Sequence, residues 1–128
     1  MARIEGKCKE VIEKAEWVAV ATHGADGPHL AGTWGEYIRA LGIRDDEFVL
    51  VPTGGYHKTE QKLMEDNTIE MLWASRQVEG TYGPGKGCKI RGTGELQTTG
   101  QFAEAAKEKF PWARGVLVVR AVEVIEQL

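Results

Sequence analysis

The chain lacks the features that place a protein in a membrane or in an oxidising compartment. No apolar run in its 128 residues approaches the ~18 that a membrane span needs. The opening stretch, MARIEGKCKEVIEKAEW, is charged throughout and has no apolar core of the kind a secretory signal carries. A cytoplasmic location is the resulting expectation. Cysteine is scarce: Cys8 and Cys88 stand far apart, without CxxC or Cys/His spacing. No metal site is therefore expected, and in a reducing compartment both residues would remain thiols. A strong charge imbalance is missing too. The 16 basic and 19 acidic residues leave a net charge of −3, and the basic ones are scattered. General nucleic-acid binding is excluded on that ground, because it needs a basic surface to displace phosphate counterions. Repeats, low-complexity tracts and linkers are also lacking, so residues 1–128 read as a single domain.

What remains is a globular composition, 42% hydrophobic and 27% charged, with four tryptophans, Trp17, Trp34, Trp73 and Trp112. Ile4, Cys8, Val11, Ile12 and Ala15 recur at helical spacing over residues 3–15. WVAVAT (17–22) is a β-rich run closed by the turn-forming HGADGP, and HLAGTWGEYI (29–38) reads as a returning strand. EFVLVPT (47–53) is a third strand, after which a short helix from about His57 carries Leu63 and Met64 inward. TIEMLWAS (68–75) and CKIRGTGELQT (88–98) are further strands, separated by a Gly-rich loop over 76–87. Phe102, Ala105, Ala106 and Phe110 mark another helix, and the β-branched GVLVVRAVEVIEQL (115–128) closes the chain. Some six strands with hairpin-like connections and two or three short helices predict a mainly β protein, an antiparallel barrel with peripheral helices.

GTYGPGKG (80–87) comes within one residue of the phosphate-binding pattern G-x-x-x-x-G-K-[ST]. A working loop of that kind needs a Ser or Thr for Mg²⁺ and a helix immediately afterwards. Here Gly87 takes the hydroxyl position and β-type residues follow, so a connection is expected rather than a phosphate cradle. PTGGYHKTE (52–60) is the better anion site. A strand ends at Pro52, Gly54 and Gly55 turn the chain, and a helix starts with Lys58 and Thr59 in its first turn. Free N–H groups, the helix dipole, an ammonium and a hydroxyl would meet there, although a capping Thr and a solvated Lys would leave the same pattern. His23, His29 and His57 have no metal-ligand spacing, and no nucleophile–base arrangement can be read from the chain, so no catalytic residue is assigned. In GTW (32–34), a glycine and a hydroxyl beside an indole could accommodate a flat ring.

DGPHLAGTW (26–34), VPTGGYHKTE (51–60), GPGKGCKIRG (83–92) and WARGVLVV (112–119), in this order and spacing, closely resemble the small FMN-binding proteins of sulfate-reducing bacteria. These belong to the flavin-binding split-barrel group that includes pyridoxamine 5′-phosphate oxidase. The resemblance runs nearly end to end. It implies a six-stranded antiparallel Greek-key split barrel with short peripheral helices, assembled as a homodimer with FMN held non-covalently near the subunit interface. By the same resemblance Lys58 and Thr59 hold the flavin phosphate, and Thr33 and Trp34 lie along the cofactor. Pro52, Thr53, Gly54 and Gly55 offer backbone contacts to the ring, with Tyr37 and Trp112 as aromatic neighbours. Ser75 and Arg76 match a polar pair that could assist the phosphate, and Leu128 matches a residue reaching the flavin from the other subunit.

Two positions depart from the family pattern. Gly32 stands where the resembling protein has an amide side chain, and Ala15, followed by Glu16, stands at an acidic position just before the first strand. The function implied is a small flavin redox protein that passes electrons to and from a partner protein not identifiable from the chain. The alternative is an FMN-dependent oxidoreductase, such as a flavin reductase or a small-molecule oxidase. Pyridoxamine 5′-phosphate oxidase itself does not fit, because the final segment VVRAVEVIEQL lacks the Arg-x-His element that closes that enzyme's site.

Overall fold

The computed structural model describes residues 2–128. Among these, six strands are formed: β1 (Trp17–Thr22), β2 (His29–Trp34), β3 (Phe48–Thr53), β4 (Thr68–Glu79), β5 (Pro84–Gln97) and β6 (Gly115–Gln127). Four helices accompany them: α1 (Gly6–Lys14), α2 (Gly35–Leu41), α3 (His57–Glu65) and α4 (Gln101–Lys109). The strands make one sheet in the order β2-β1-β4-β5-β6-β3, with every pairing antiparallel. This sheet curls into the expected split barrel.

Period-two alternation decides which side chains enter the barrel. Val18, Val20 and Thr22 of β1 point inward with Ile69, Met71 and Trp73 of β4, while Trp17 and Leu72 stay on the outer face. Helix α1 adds Cys8, Val11 and Ile12 to the same core. Strands β3 and β6 are covered on both faces. Val49 and Val51 face the main core, whereas Leu50, Val116 and Val118 pack with Leu41 of α2 and with Ala103 and Ala106 of α4. The unbroken apolar run FVLV in β3 follows from that double coverage. Each buried aliphatic side chain contributes about 1.5–3 kcal/mol of transfer free energy.

Several expectations are corrected. The strand expected over 29–38 stops at Trp34, and α2 begins at once. The Gly35 N–H donates to the Glu16 carbonyl at 2.8 Å. A Cβ at position 35 would sit 1.9 Å from the Ala15 oxygen, so only glycine lets the chain turn into a helix here. In α3 the inward face is Thr59, Lys62 and Leu63, and Met64 points to solvent. The expected 76–87 loop shrinks to a hairpin tip, because β4 runs to Glu79 and β5 starts at Pro84. Cys8 and Cys88, expected as thiols, are joined in a disulfide that fastens α1 to β5, with their Cα atoms 5.1 Å apart. Among the described residues no helix is long and apolar enough to cross a membrane.

Candidate functional site

The ends of β1, β2 and β3 converge on a cavity of about 300 Å³. β1 and β2 give it Trp17, Gly32, Thr33 and Trp34, α2 gives Tyr37, and the end of β3 with its following loop gives Pro52, Gly54, Gly55 and Tyr56. Trp112 enters from the segment between α4 and β6. Tyr37, Phe110 and Trp112 form a trio with ring centroids 5.2–5.5 Å apart. Trp17 and Trp34 meet edge to face at 4.9 Å. Trp112 lies close over Gly54, where a Cβ would come within 3.2 Å of the indole. Arg114 clamps the same loop. Its backbone N–H donates to the Thr53 carbonyl at 2.8 Å, and its guanidinium donates to the Gly55 carbonyl at 2.8 and 3.1 Å and to the Glu60 carboxylate at 3.1 Å. Thr53 is buried and its hydroxyl is without a hydrogen-bond partner among the described residues.

A second cavity, of about 310 Å³, is lined by His29, Ala31, His57, Lys58 and Thr59 and shares Gly32 and Tyr56 with the first. The first intrahelical bond of α3 is Glu60 N–H to the Tyr56 carbonyl. The N–H groups of His57, Lys58 and Thr59 therefore precede the ladder and have no acceptor within the helix. The Lys58 ammonium, half-exposed, lies 3.5 Å from the Asp26 carboxylate. One turn further on, Lys62 is buried, donates to the Gly27 carbonyl at 3.0 Å and contacts the other oxygen of Asp26.

Tyr56 joins the two cavities. It occupies the left-handed region, φ 66°, as the residue before α3, and its hydroxyl donates to the Gly32 carbonyl at 2.9 Å. Burial pushes its phenol above the ordinary tyrosine value, partly offset by a hydrogen bond with Thr33. An aromatic-walled slot thus adjoins, across Gly32 and Tyr56, a pocket with a lysine and free N–H groups. The donor set fits a flat ring carrying an anionic tail.

Of the residues singled out in the sequence, Thr33, Trp34, Tyr37, Pro52, Gly54, Gly55 and Trp112 line the aromatic cavity, and Lys58 and Thr59 line the adjoining one. Thr53 sits between them in sequence but lines neither. Ser75, Arg76 and Leu128 are elsewhere, in a separate cavity of about 570 Å³ with Tyr82 and Lys86. The Leu128 carbonyl accepts the Thr81 N–H at 2.7 Å, which fixes the end of the chain beside the β4–β5 tip. Lys86, the lysine of the phosphate-loop look-alike, is buried against Glu126 at 3.3 Å, and β5 rather than a helix carries it. Sequence reasoning missed Trp17, Tyr56 and Lys62. The i, i+4 spacing of Lys58 and Lys62 was the available signal for Lys62; nothing local distinguished the other two.

No family model matches the chain. A curated relative, the FMN-binding protein of Nitratidesulfovibrio vulgaris (strain DSM 19637 / Miyazaki F), is 41% identical over 125 residues, covering 98% of this chain and 99% of the relative. Among solved structures, a single-residue variant of HupZ from Group A Streptococcus superposes with a TM-score of 0.76 at 22% identity, covering 97% of this chain and 99% of that one. A proposed pyridoxamine 5′-phosphate oxidase from Lactobacillus delbrueckii gives 0.66 at 14% identity over the full length of both chains. The fold is a six-stranded antiparallel split barrel. The chain belongs to the family of the FMN-binding protein with which it shares that end-to-end identity.

Proposed function

We propose that this chain binds one FMN non-covalently per protomer and serves as a small flavin electron carrier. The observation that carries this reading is the adjacency of the aromatic cavity and the Lys58 pocket, which share Gly32 and Tyr56 in their lining. Trp34, Tyr37 and Trp112 would cover the isoalloxazine, and the backbone around Thr33 and Pro52–Gly55 would pair with its polar edge. Lys58, Thr59 and the first N–H groups of α3 would hold the phosphate, which carries about −1.5 to −2 charges at pH 7. In a protein of net charge −3 that local set of donors must outweigh the global repulsion. When bound, FMN supplies the redox chemistry; the protein's part is to position it and to govern its exposure.

A homodimer is part of this proposal. The outer face of β2, β1, β4 and β6 exposes Leu30 (72% accessible), Leu72, Ile125 and the two indoles Trp17 and Trp34, so it is continuous with the aromatic cavity. The charges on that face are already paired within the chain, Glu70 with Lys89 and Arg91 with Glu123, both at 2.8 Å. A self-paired apolar sheet suits a second copy of itself. It also gives Leu128 a role, since on its own protomer Leu128 lines a different cavity from Trp34.

The alternative of an FMN-dependent oxidoreductase has no feature of the site in its favour. The test is the visible absorption of the purified protein after FMN addition and desalting, followed by an NAD(P)H assay. Retained flavin bands without NADH or NADPH consumption are expected. Steady NAD(P)H turnover by the holoprotein would establish the alternative, and a colourless protein would refute both.

A further inference from the structure

We propose that Trp17 and Gly32 are a matched pair. In this chain an indole forms the wall of the ring cavity that a side chain at position 32 would otherwise supply. The inference rests on the flavin-binding reading and adds to it a residue outside the recognised motifs.

Trp17 and Gly32 are diagonal neighbours on the outer face of the β1–β2 pair, where Trp17 is opposite Trp34 and Ala19 is opposite Gly32. A Cβ built on Gly32 would lie 2.0 Å from Cζ2 of Trp17, 2.5 Å from Cε2 and 2.9 Å from Nε1. The indole thus crosses directly over the Cα of residue 32. Both residues line the aromatic cavity, so the space at issue is the site itself. Two contacts keep the arrangement from relaxing. Trp34 braces the Trp17 ring edge to face at 4.9 Å, and the Tyr56 hydroxyl holds the Gly32 carbonyl at 2.9 Å, which stops that strand from backing away. The wall at position 32 is a π-face with a single N–H donor, delivered from β1. A flat aromatic ligand in that cavity would meet an apolar wall there, which would make position 17 a determinant of its affinity.

The test is a double-mutant cycle with Trp17→Val, Gly32→Ala and the double variant. FMN Kd is read from flavin fluorescence, the bound ring from visible circular dichroism, and the apoprotein from its Tm. Trp17→Val is expected to weaken FMN about three- to tenfold, the span of an aromatic contact. Gly32→Ala alone should weaken it at least as much and lower the apoprotein Tm, while adding Gly32→Ala to Trp17→Val should cost almost nothing in either. If Gly32→Ala folds only in the Trp17→Val background, the coupling is demonstrated in its strongest form. Losses that simply multiply in the double variant, or a Trp17→Val protein with unchanged Kd and visible dichroism, overturn the inference while leaving FMN binding intact. A wild-type protein that retains no FMN overturns both.

Discussion

The Tyr56 hydroxyl donates to the Gly32 carbonyl at 2.9 Å, fastening the left-handed residue that opens α3 to the strand that carries Thr33 and Trp34. This bond lies where the aromatic cavity and the Lys58 pocket share their lining. It sets the spacing between the aromatic cavity and the Lys58 pocket, the proposed places of the ring and its anionic tail.

Removing it by Tyr56→Phe leaves the Gly32 carbonyl without that donor. The expected loss of stability is about 1–3 kcal/mol, seen as a fall in Tm, together with weaker FMN binding. The substitution also carries a pH signature. Burial raises the folded-state pKa of Tyr56 above the ordinary value of 10.0. Its contribution is therefore fully present below the unfolded pKa and is lost as pH rises through the folded one. Above pH ~10 the wild-type Tm should fall more steeply than that of Tyr56→Phe; parallel curves would contradict the assignment.

The two lysines of the two glycine-rich stretches should behave differently. Lys58→Ala is expected to weaken FMN roughly 10- to 100-fold, in line with a charge-assisted hydrogen bond. Lys86, which faces Glu126 in another cavity, should leave the FMN Kd within about twofold when replaced by Ala. Isothermal titration of both variants decides it, and equal losses would contradict the placement of the phosphate.

Asp26 contacts both Lys58 and Lys62 and so competes with any incoming anion. Asp26→Asn should tighten binding of FMN about three- to tenfold at low ionic strength, with the gain shrinking as salt screens the exposed pair. The same substitution should lower Tm, since the buried Lys62 then loses its counter-ion. Unchanged affinity at low salt would show that Asp26 does not oppose the ligand.

The Cys8–Cys88 bridge closes a loop with a sequence separation of 80. Chain-entropy arguments give about 4–5 kcal/mol for a loop of that length. Thiol titration in denaturant should find no free thiol before reduction and two per chain after it. The reduced protein should melt about 15 °C lower; an unchanged Tm would mean the bridge constrains nothing in the unfolded chain.

The parts of the molecule legible in its sequence are those decided locally. β1 and β3 carry their own β-branched runs, and the helix after Gly54-Gly55 is announced by its turn, so the strand, turn and helix of residues 52–60 could be read from the chain alone. α2 was hidden because its start depends on the close approach of Gly35 to the Ala15 carbonyl, a contact with no trace in the local pattern. The β4–β5 arms were hidden because long-range pairing, including Ser75 with Lys86, overrides a Gly-rich composition. Lys62 looks like a surface residue until the 24–27 turn covers it. The disulfide was illegible for a similar reason: two cysteines so far apart carry no sign that the fold brings them together, and the expected reducing compartment argued for thiols.

The proposed function requires ring cavity and lysine pocket to form a single site for a phosphorylated flavin. The most direct measurement is the affinity of the wild-type protein for FMN against riboflavin, which differ only in the phosphate, repeated on Lys58→Ala. FMN should bind at least about 100-fold more tightly than riboflavin, and Lys58→Ala should narrow this ratio by about tenfold or more without changing riboflavin binding. Equal affinities for the two flavins, or a ratio that survives Lys58→Ala, would contradict the single site.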